Sequence, residues 1–503
     1  MALFMGLDVG TSGVKAVLID ERGRLKGDHT EPLTLHTPQP GWAEQRPEDW
    51  WKASQKAISR AIRNAKAKPS QIACVGFSGQ MHSSVFLDAK GKVIRPALLW
   101  CDGRTTEECR EVTERVGEKQ LREWACNPVL EGFTLPKVLW LRKHEPEAFA
   151  RLAKVVLPKD YIRYRLSGEL ATEPSDASAT LMYDTAGGRW SEPLMNAVGL
   201  DMSLLPDVGG SSEVLCYVSK SAAKVTGLAE GTPLVGGGAD NACGAAGVGV
   251  VSAGDAVVSW GTSGTVVAPT SAPKVDPSLR AHTFRHVVPN TWYIMGVMLT
   301  AGAAFAWHRD ELARDLRRKR GANELLNQEA AKIAPGADGL TFLPYLQGER
   351  TPHRDASARG AFVGLSLAHT RAHLSRAVLE GICFGLRDSL SIIQDLGLPI
   401  DSLLLTGGGA RSKFVRRLQS DIYGLPVVTV NREEGPPFGA ALLAAVGVGA
   451  FQDLAAACAA TLKRRVPQPH RPDVHAAYDK PYERYRELYP ALRSLSSPAP
   501  PLR

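Results

Sequence analysis

The stretch "DVGTSG" (residues 8–13) ends one apolar run, "LFMGLDV" (3–9), and leads into another, "VKAVLID" (14–20). Two runs rich in β-forming residues around a Gly-Thr-Ser-Gly tip predict a β-hairpin. The tip recurs. "SWGTSG" (259–264) repeats its four residues 251 positions later, again between strand-like runs, "DAVVSW" (255–260) and "TVVAP" (265–269). In a 503-residue chain that offset is half the length, so the sequence reads as two related halves.

Glycine at such a tip lets backbone N–H groups approach an anion closely, and threonine and serine add hydroxyl donors. Gly10, Thr11 and Ser12 in one half, and Gly261, Thr262 and Ser263 in the other, are therefore candidate phosphate-binding residues. Both tips reach one ligand only if a cleft separates the halves. Two places before the tip the copies differ in charge, with Asp8 before the first and Ser259 before the second. A single carboxylate beside a triphosphate suits Mg²⁺, which takes one or two protein carboxylates together with phosphate oxygens. A second would repel the nucleotide.

The length exceeds what one core fills, so two domains are expected. With 44% hydrophobic and 22% charged residues, the composition is that of an ordinary folded protein. The start, "MALFMGLDVG", has no basic leader, and no run is long and apolar enough for a membrane span. Eight scattered cysteines form no CxxC pair, which fits free thiols in a reducing cytoplasm. The net charge of +8 is accompanied by no nucleic-acid-binding signature, so small anions are the expected partners. The densest basic run, "RDLRRKRG" (314–321), reads as the solvated face of a helix.

Helical and strand patterns alternate along the chain, which predicts α/β layering. Residues 47–65 and 371–397 show helical spacing, the second with Thr370 as N-cap; 71–78 reads as a buried strand. No "GxxxxGK[ST]", protein-kinase signature or "GxGxxG" occurs. "TGGGARS" (406–412) instead reads as a strand-to-helix loop whose bare backbone at Gly407, Gly408 and Gly409 could lie against a nucleobase and ribose. "GGGADNACGAAG" (236–247) puts Asp240 at the end of a strand, as a candidate general base for a sugar hydroxyl or as the N-cap of a following helix. "FSGQMHSS" (77–84) clusters Gln80, Met81 and His82 in a loop fit for a polyol or ketose, although His82 also reads as a structural histidine.

The ordered set "DVGTSG", "GFSGQMH", "LLWCDGRT", "LPKDYIRYRLSGE", "GGGADNACGAAGVG", "SWGTSG", "LPYLQGERTPH", "RAVLEGICFGLRDSL" and "TGGGARS" resembles the FGGY carbohydrate kinases over residues 4 to 450. The resemblance is strongest to the members that phosphorylate D-xylulose. It implies two actin-like ATPase domains of ribonuclease-H-like topology, an α/β fold with ATP and sugar in the central cleft. The implied organisation is 1–250 for the N-terminal domain with the sugar site, first hairpin and base. Residues 251–485 form the C-terminal domain with the second hairpin and adenosine turn, and 486–503 a tail.

The resemblance further implies ATP-dependent transfer to D-xylulose, Mg²⁺ as cofactor with Asp8 as its acid, and a homodimer. Asp240 becomes the catalytic proton acceptor, with Met81, His82 and Asn241 around the sugar. Two departures, Cys101 where the family usually has Asn and Ser83 where Gly is common, fall beside the sugar loop and bear on the preferred sugar. "EEGPPFGAA" (433–441) departs near the adenosine end. The alternatives are a sister kinase for another ketose or polyol such as ribulose or glycerol, an actin- or chaperone-like ATPase, and a sugar sensor without catalysis. Closure of one domain on the other is the expected gate against water.

Overall fold

The computed structural model describes residues 2–495. Both expected hairpins form, as Leu3–Val9 with Gly13–Asp20 and Gly254–Trp260 with Gly264–Thr270. Each is the centre of a mixed sheet. The first sheet runs, in spatial order, Val214–Tyr217, Pro233–Val235, Ile72–Gly79, Leu3–Val9, Gly13–Asp20, Leu25–Pro32. The second runs His282–Arg285, Trp292–Met298, Gly264–Thr270, Gly254–Trp260, Ile400–Gly407, Val427–Val428.

The pairing senses repeat as well. Leu3–Val9 is antiparallel to its hairpin partner and parallel to Ile72–Gly79, and Gly254–Trp260 is antiparallel to its partner and parallel to Ile400–Gly407. Duplication therefore extends from four residues to the topology of two sheets, the two actin-like α/β domains expected.

Alternation along the first strand assigns its faces. Leu3, Met5, Leu7 and Val9 join Trp50, Ala57 and Ile58 of the helix Pro47–Asn64 in one apolar cluster. Phe4 points the other way, into a cluster containing Phe438 and Ala440 of the helix Pro436–Gly447. Side chains two apart share a face, so Gly6 and Asp8 lie on that second side. The same cluster contains Val257, Val267 and Leu404 of the second sheet, which makes it the apolar joint between the halves.

The helix Pro436–Gly447 falls in the stretch expected to belong to the C-terminal domain, yet it packs on the first sheet. An added Cβ would lie 1.8 Å from the Pro437 carbonyl at Gly6, and 2.0 Å from that of Ala440 at Gly76. These two glycines are register partners on adjacent parallel strands. They form a smooth floor on which the helix backbone rests.

The helix expected over 371–397 spans Arg371–Asp395, and the Thr370 N–H donates to His373 Nδ1 at its start. The basic run at 314–321 is not a helix face. Only Arg314–Leu316 forms a turn of 3₁₀ helix, because Arg318 and Gly321 take left-handed backbone conformations (φ 65° and 79°) that an α-helix cannot accommodate. The final helix, Asp479–Leu492, runs past the expected tail boundary at 486 and buries Tyr485, Leu488 and Tyr489. The remainder of the expected tail, 496–503, lies outside the described residues. Among the described residues no helix is long and apolar enough to cross a membrane.

Candidate active site

Asp240 opens the helix Asp240–Ala246, directly after a short strand, Gly238–Ala239, that pairs with the end of Ile72–Gly79. Ala239 occupies the cap position, so the carboxylate of Asp240 is not spent on capping. It accepts from Asn241 Nδ2 at 2.9 Å, and Asn241 Oδ1 accepts from Thr265 Oγ1 at 3.3 Å. Thr265 belongs to the second hairpin. Asn241 thus bridges the candidate base to the other half of the molecule.

The backbone before Asp240 is held from beneath. Glu173 accepts from Ser175 Oγ (2.8 Å), which accepts from the Ala239 N–H (2.8 Å), and Arg163 donates to the Gly236 carbonyl at 2.7 Å. Lys159, fully buried, pairs with Asp160, Asp176 and Glu173 at 2.7, 3.2 and 3.4 Å. Removing Lys159 would leave Asp176 and Glu173 buried without their shared cation. This support was not predicted from the sequence.

Met81, His82, Asp240, Asn241, Gly261 and Ser263 line one cavity of about 180 Å³, with Trp100 and Arg350 completing its wall. The residues assigned to sugar, base and second phosphate tip thus meet in one place. Trp100 and Arg350 lie in the quoted motifs "LLWCDGRT" and "LPYLQGERTPH", but their local sequence carries no sign of a shared wall. The His82 imidazole is neutral, because burial pushes its pKa down to about 3. Its Nδ1 lies 2.6 Å from the Ala179 carbonyl, which assigns the ring proton there and leaves Nε2 as an acceptor. His82 sits at a left-handed φ of 66°, and its carbonyl accepts from Thr134 Oγ1 and Lys137 Nζ at 3.0 and 3.1 Å. The histidine is both structural and cavity-lining.

The Asp8 charge bears on Asp240. Burial raises Asp240 from 3.8 to about 7, with the Asp8 charge as the second cause; the Asn241 hydrogen bonds oppose it. Burial also raises Asp8 to about 6, opposed by the neighbouring Ser78 hydroxyl and the Lys15 charge. Asp8 Oδ1 is buried with no hydrogen-bond partner. An orphaned carboxylate oxygen among lowering influences that do not suffice is what a divalent cation would satisfy.

At the two tips the hydroxyls differ. Ser12 and Thr262 are exposed, and neither they nor Ser263 make a side-chain hydrogen bond among the described residues. Thr11 is committed, since its Oγ1 accepts from Trp100 Nε1 at 2.9 Å and donates to Gln80 Oε1 at 3.3 Å. The second tip is fixed through its backbone: the Thr262 carbonyl accepts from Ala301 and Ala303 N–H groups, both at 3.0 Å. A Cβ added at Gly261 would find its nearest neighbour, the Ser263 carbonyl, at 3.6 Å. Nothing in the protein requires glycine there.

The turn Gly407–Gly409 does not line the 180 Å³ cavity. Gly407 borders a separate depression of about 390 Å³ with Ser259, and Gly408 one of about 740 Å³ with Arg309, Arg317, Arg318 and Arg411. Gly409 is buried, and a Cβ there would come within 2.6 Å of the Trp260 ring. The second hairpin's tryptophan therefore carries the glycine turn on its face, which connects the candidate adenosine segment to the candidate phosphate tip.

Duplicated halves, each with a glycine tip, and an elevated carboxylate in a cavity that the second tip lines are the features of a phosphotransferase of the sugar-kinase class. Models of the N-terminal and C-terminal domains of the FGGY family of carbohydrate kinases, a family of ATP-dependent kinases, match residues 3–247 and 256–448, and the chain belongs to this family. A xylulose kinase of Lactococcus lactis is 39% identical over 99% of this chain and 98% of its own length. One from Escherichia coli is also 39% identical, over 98% and 100%. The crystal structure of a xyloylose kinase from Brucella ovis superposes with a TM-score of 0.89 at 37% identity, covering 98% of this chain and all of that one.

Proposed function

We propose that the protein transfers the γ-phosphate of ATP to the terminal C5 hydroxyl of D-xylulose, yielding D-xylulose 5-phosphate. The observation that carries this reading is the cavity of about 180 Å³, where a carboxylate raised to about 7 shares the lining with His82, Asn241, Trp100 and Arg350. A pentulose fits that volume, and an ionised carboxylate there is poised near neutral pH to accept a proton. The full-length similarity to xylulose kinases supports the sugar assignment.

In this reading Asp240 draws off the C5 hydroxyl proton as the O–P bond forms. His82 Nε2 accepts from a sugar hydroxyl, Met81 offers an apolar wall, and Asn241 orients the base. Backbone N–H groups at Gly10–Ser12 and Gly261–Ser263 grip the phosphates, while Gly407–Gly409 lie against adenosine. Mg²⁺, fitted by the orphaned Asp8 oxygen, would neutralise phosphate charge and supply electrophilic assistance. Phosphoryl transfer needs this positioning and charge stabilisation more than covalent chemistry.

The test is ADP release with ATP, Mg²⁺ and a panel of sugars. D-xylulose should stimulate release far above the sugar-free rate and above ribulose and glycerol. Faster turnover of another ketose or polyol reassigns the substrate, and sugar-independent hydrolysis rejects the kinase reading. A second expectation concerns the tip. Gly261→Ala should fold with an unchanged Tm, since its Cβ meets nothing nearer than the Ser263 carbonyl at 3.6 Å, an ordinary contact, yet raise KM for ATP about tenfold or more. An unaltered KM would mean that no phosphate approaches that backbone.

A further inference from the structure

The sugar cavity and the first phosphate tip are joined by one side chain. The Trp100 ring lines the cavity that contains Asp240 and His82, while its indole N–H donates to Thr11 Oγ1 at 2.9 Å. Thr11 is the second residue of the tip. Its hydroxyl passes a hydrogen bond to Gln80 Oε1 (3.3 Å), which also accepts from Ser83 Oγ (2.8 Å), and Ser83 Oγ accepts from the Trp100 backbone N–H at 3.1 Å. Gln80 Nε2 donates to Gln45 Oε1 (3.4 Å), and Gln45 Nε2 donates to the Thr11 carbonyl at 2.8 Å.

Indole N–H is a donor only, so the Trp100 end sets the sense of these bonds and leaves Thr11 one hydroxyl proton, spent on Gln80. The tip is held at both its side chain and its carbonyl by residues of the sugar side. Ser83, one of the two departures from the usual family sequence, anchors the tryptophan's own backbone. Cys101, the other, is the exposed neighbour of Trp100 and takes no part.

We infer that Trp100 couples sugar occupancy to nucleotide binding by transmitting the orientation of its indole to the Gly10–Gly13 tip through Thr11. A sugar packed on the ring fixes the ring plane, the ring plane fixes the N–H to Oγ1 bond, and that bond fixes the backbone donors of the tip. Coupling of this kind is reciprocal, so bound nucleotide tightens sugar by the same factor. Trp100 also touches the sugar, but the coupling is a separate property. It resides in the nitrogen, not in the ring.

This inference rests on the proposed sugar and nucleotide sites, and the experiment separates the two. The Kd of a non-hydrolysable ATP analogue with Mg²⁺ is measured by calorimetry with and without saturating D-xylulose, and the ratio of the two values is the readout. Loss of packing alone weakens binding but leaves the ratio unchanged. Trp100→Phe keeps an aromatic face without the N–H, and one hydrogen bond of ordinary strength corresponds to about a three- to tenfold fall in the ratio. Thr11→Val should lower the ratio equally, Thr11→Ser should preserve it, and the double variant Trp100→Phe/Thr11→Val should be no worse than either single one.

A wild-type ratio near one, single variants that keep the wild-type ratio, losses that multiply in the double variant, or Thr11→Ser behaving as Thr11→Val would each overturn the coupling. Failure of D-xylulose to bind the wild-type protein would reject the substrate reading, and with it the inference. Should Trp100→Phe not fold, the Thr11 pair decides the matter alone.

Discussion

Asp240→Asn is expected to lower kcat by about 10² to 10⁴-fold, the usual contribution of a positioned general base. Asparagine keeps the size and the contact with Asn241 but cannot accept the hydroxyl proton. Sugar affinity should change little, by less than about threefold, because the cavity's shape and its other donors survive. Loss of binding in step with loss of rate would indicate collapse of the site instead.

The same variant has a pH signature. A general base acts only when deprotonated, so in the proposed role kcat/KM should climb as pH rises through about 7, the value to which burial and the Asp8 charge lift Asp240. The stability consequence has the opposite sense. A carboxyl whose folded pKa lies above its ordinary 3.8 holds its proton more tightly when folded, so its stabilising contribution is complete below 3.8 and disappears as pH rises through about 7. Asn carries no such penalty. The Tm of Asp240→Asn should therefore exceed that of wild type at pH 8, and the difference should shrink as the pH is lowered towards 5. A wild-type Tm equal to or above that of the variant at pH 8 would show that the carboxylate is not strained by its surroundings. A site that gains stability when its acid is removed is one where burial serves chemistry and not folding.

These residues were legible in the sequence because their signals are local. A strand-forming run, a Gly-Thr-Ser-Gly tip and a second run declare a hairpin within a dozen residues, and Asp240 announces itself at the end of a strand. Repetition of the hairpin implied two sheets. Neither signal reaches across the chain. Thr11 was read as a phosphate donor on its residue type, yet its hydroxyl is engaged by Trp100 and Gln80, 89 and 69 positions away. The cluster of Lys159, Asp160, Glu173 and Asp176 looks like ordinary helix polarity until three-dimensional packing buries it. "RDLRRKRG" carried a helical composition, but left-handed residues at Arg318 and Gly321 ended the helix. Helix Pro436–Gly447, more than 400 positions from the strand it covers, had no local feature to assign it to the first sheet. What such distant contacts do leave in a sequence is a small residue where a larger one would ordinarily serve.

Gly6 is the clearest of these marks, and its replacement should have the largest effect on stability. In "LFMGLDV" a β-branched or aliphatic residue would suit a buried central strand better, since glycine forfeits side-chain packing and costs conformational entropy. The compensation is contact: a Cβ at this position would stand 1.8 Å from the Pro437 carbonyl and 2.8 Å from the Ala441 nitrogen. Both are backbone atoms of a helix, so no side-chain rotation relieves the overlap. The helix is also held on its other flank, where a Cβ at Gly439 would meet the Cys243 carbonyl at 2.0 Å, so it cannot shift freely. Gly6→Ala should therefore cost about 3 kcal/mol or more, at the upper end for overpacking of a core. Thermal denaturation should show a Tm lower by roughly 5 to 10 °C, given the few degrees per kcal/mol typical of large domains. Gly261→Ala, the same chemical change at a position where the Cβ makes only an ordinary 3.6 Å contact, is the matched control and should leave Tm unchanged. Equal stability of the two variants would show that the helix yields readily, and that the close approach of helix and strand does not determine how the halves are joined. Because Asp8 follows two residues later on the same face of the same strand, a helix displaced at Gly6 should also disturb the carboxylate. The surviving Gly6→Ala protein should lose activity at temperatures well below its melting point.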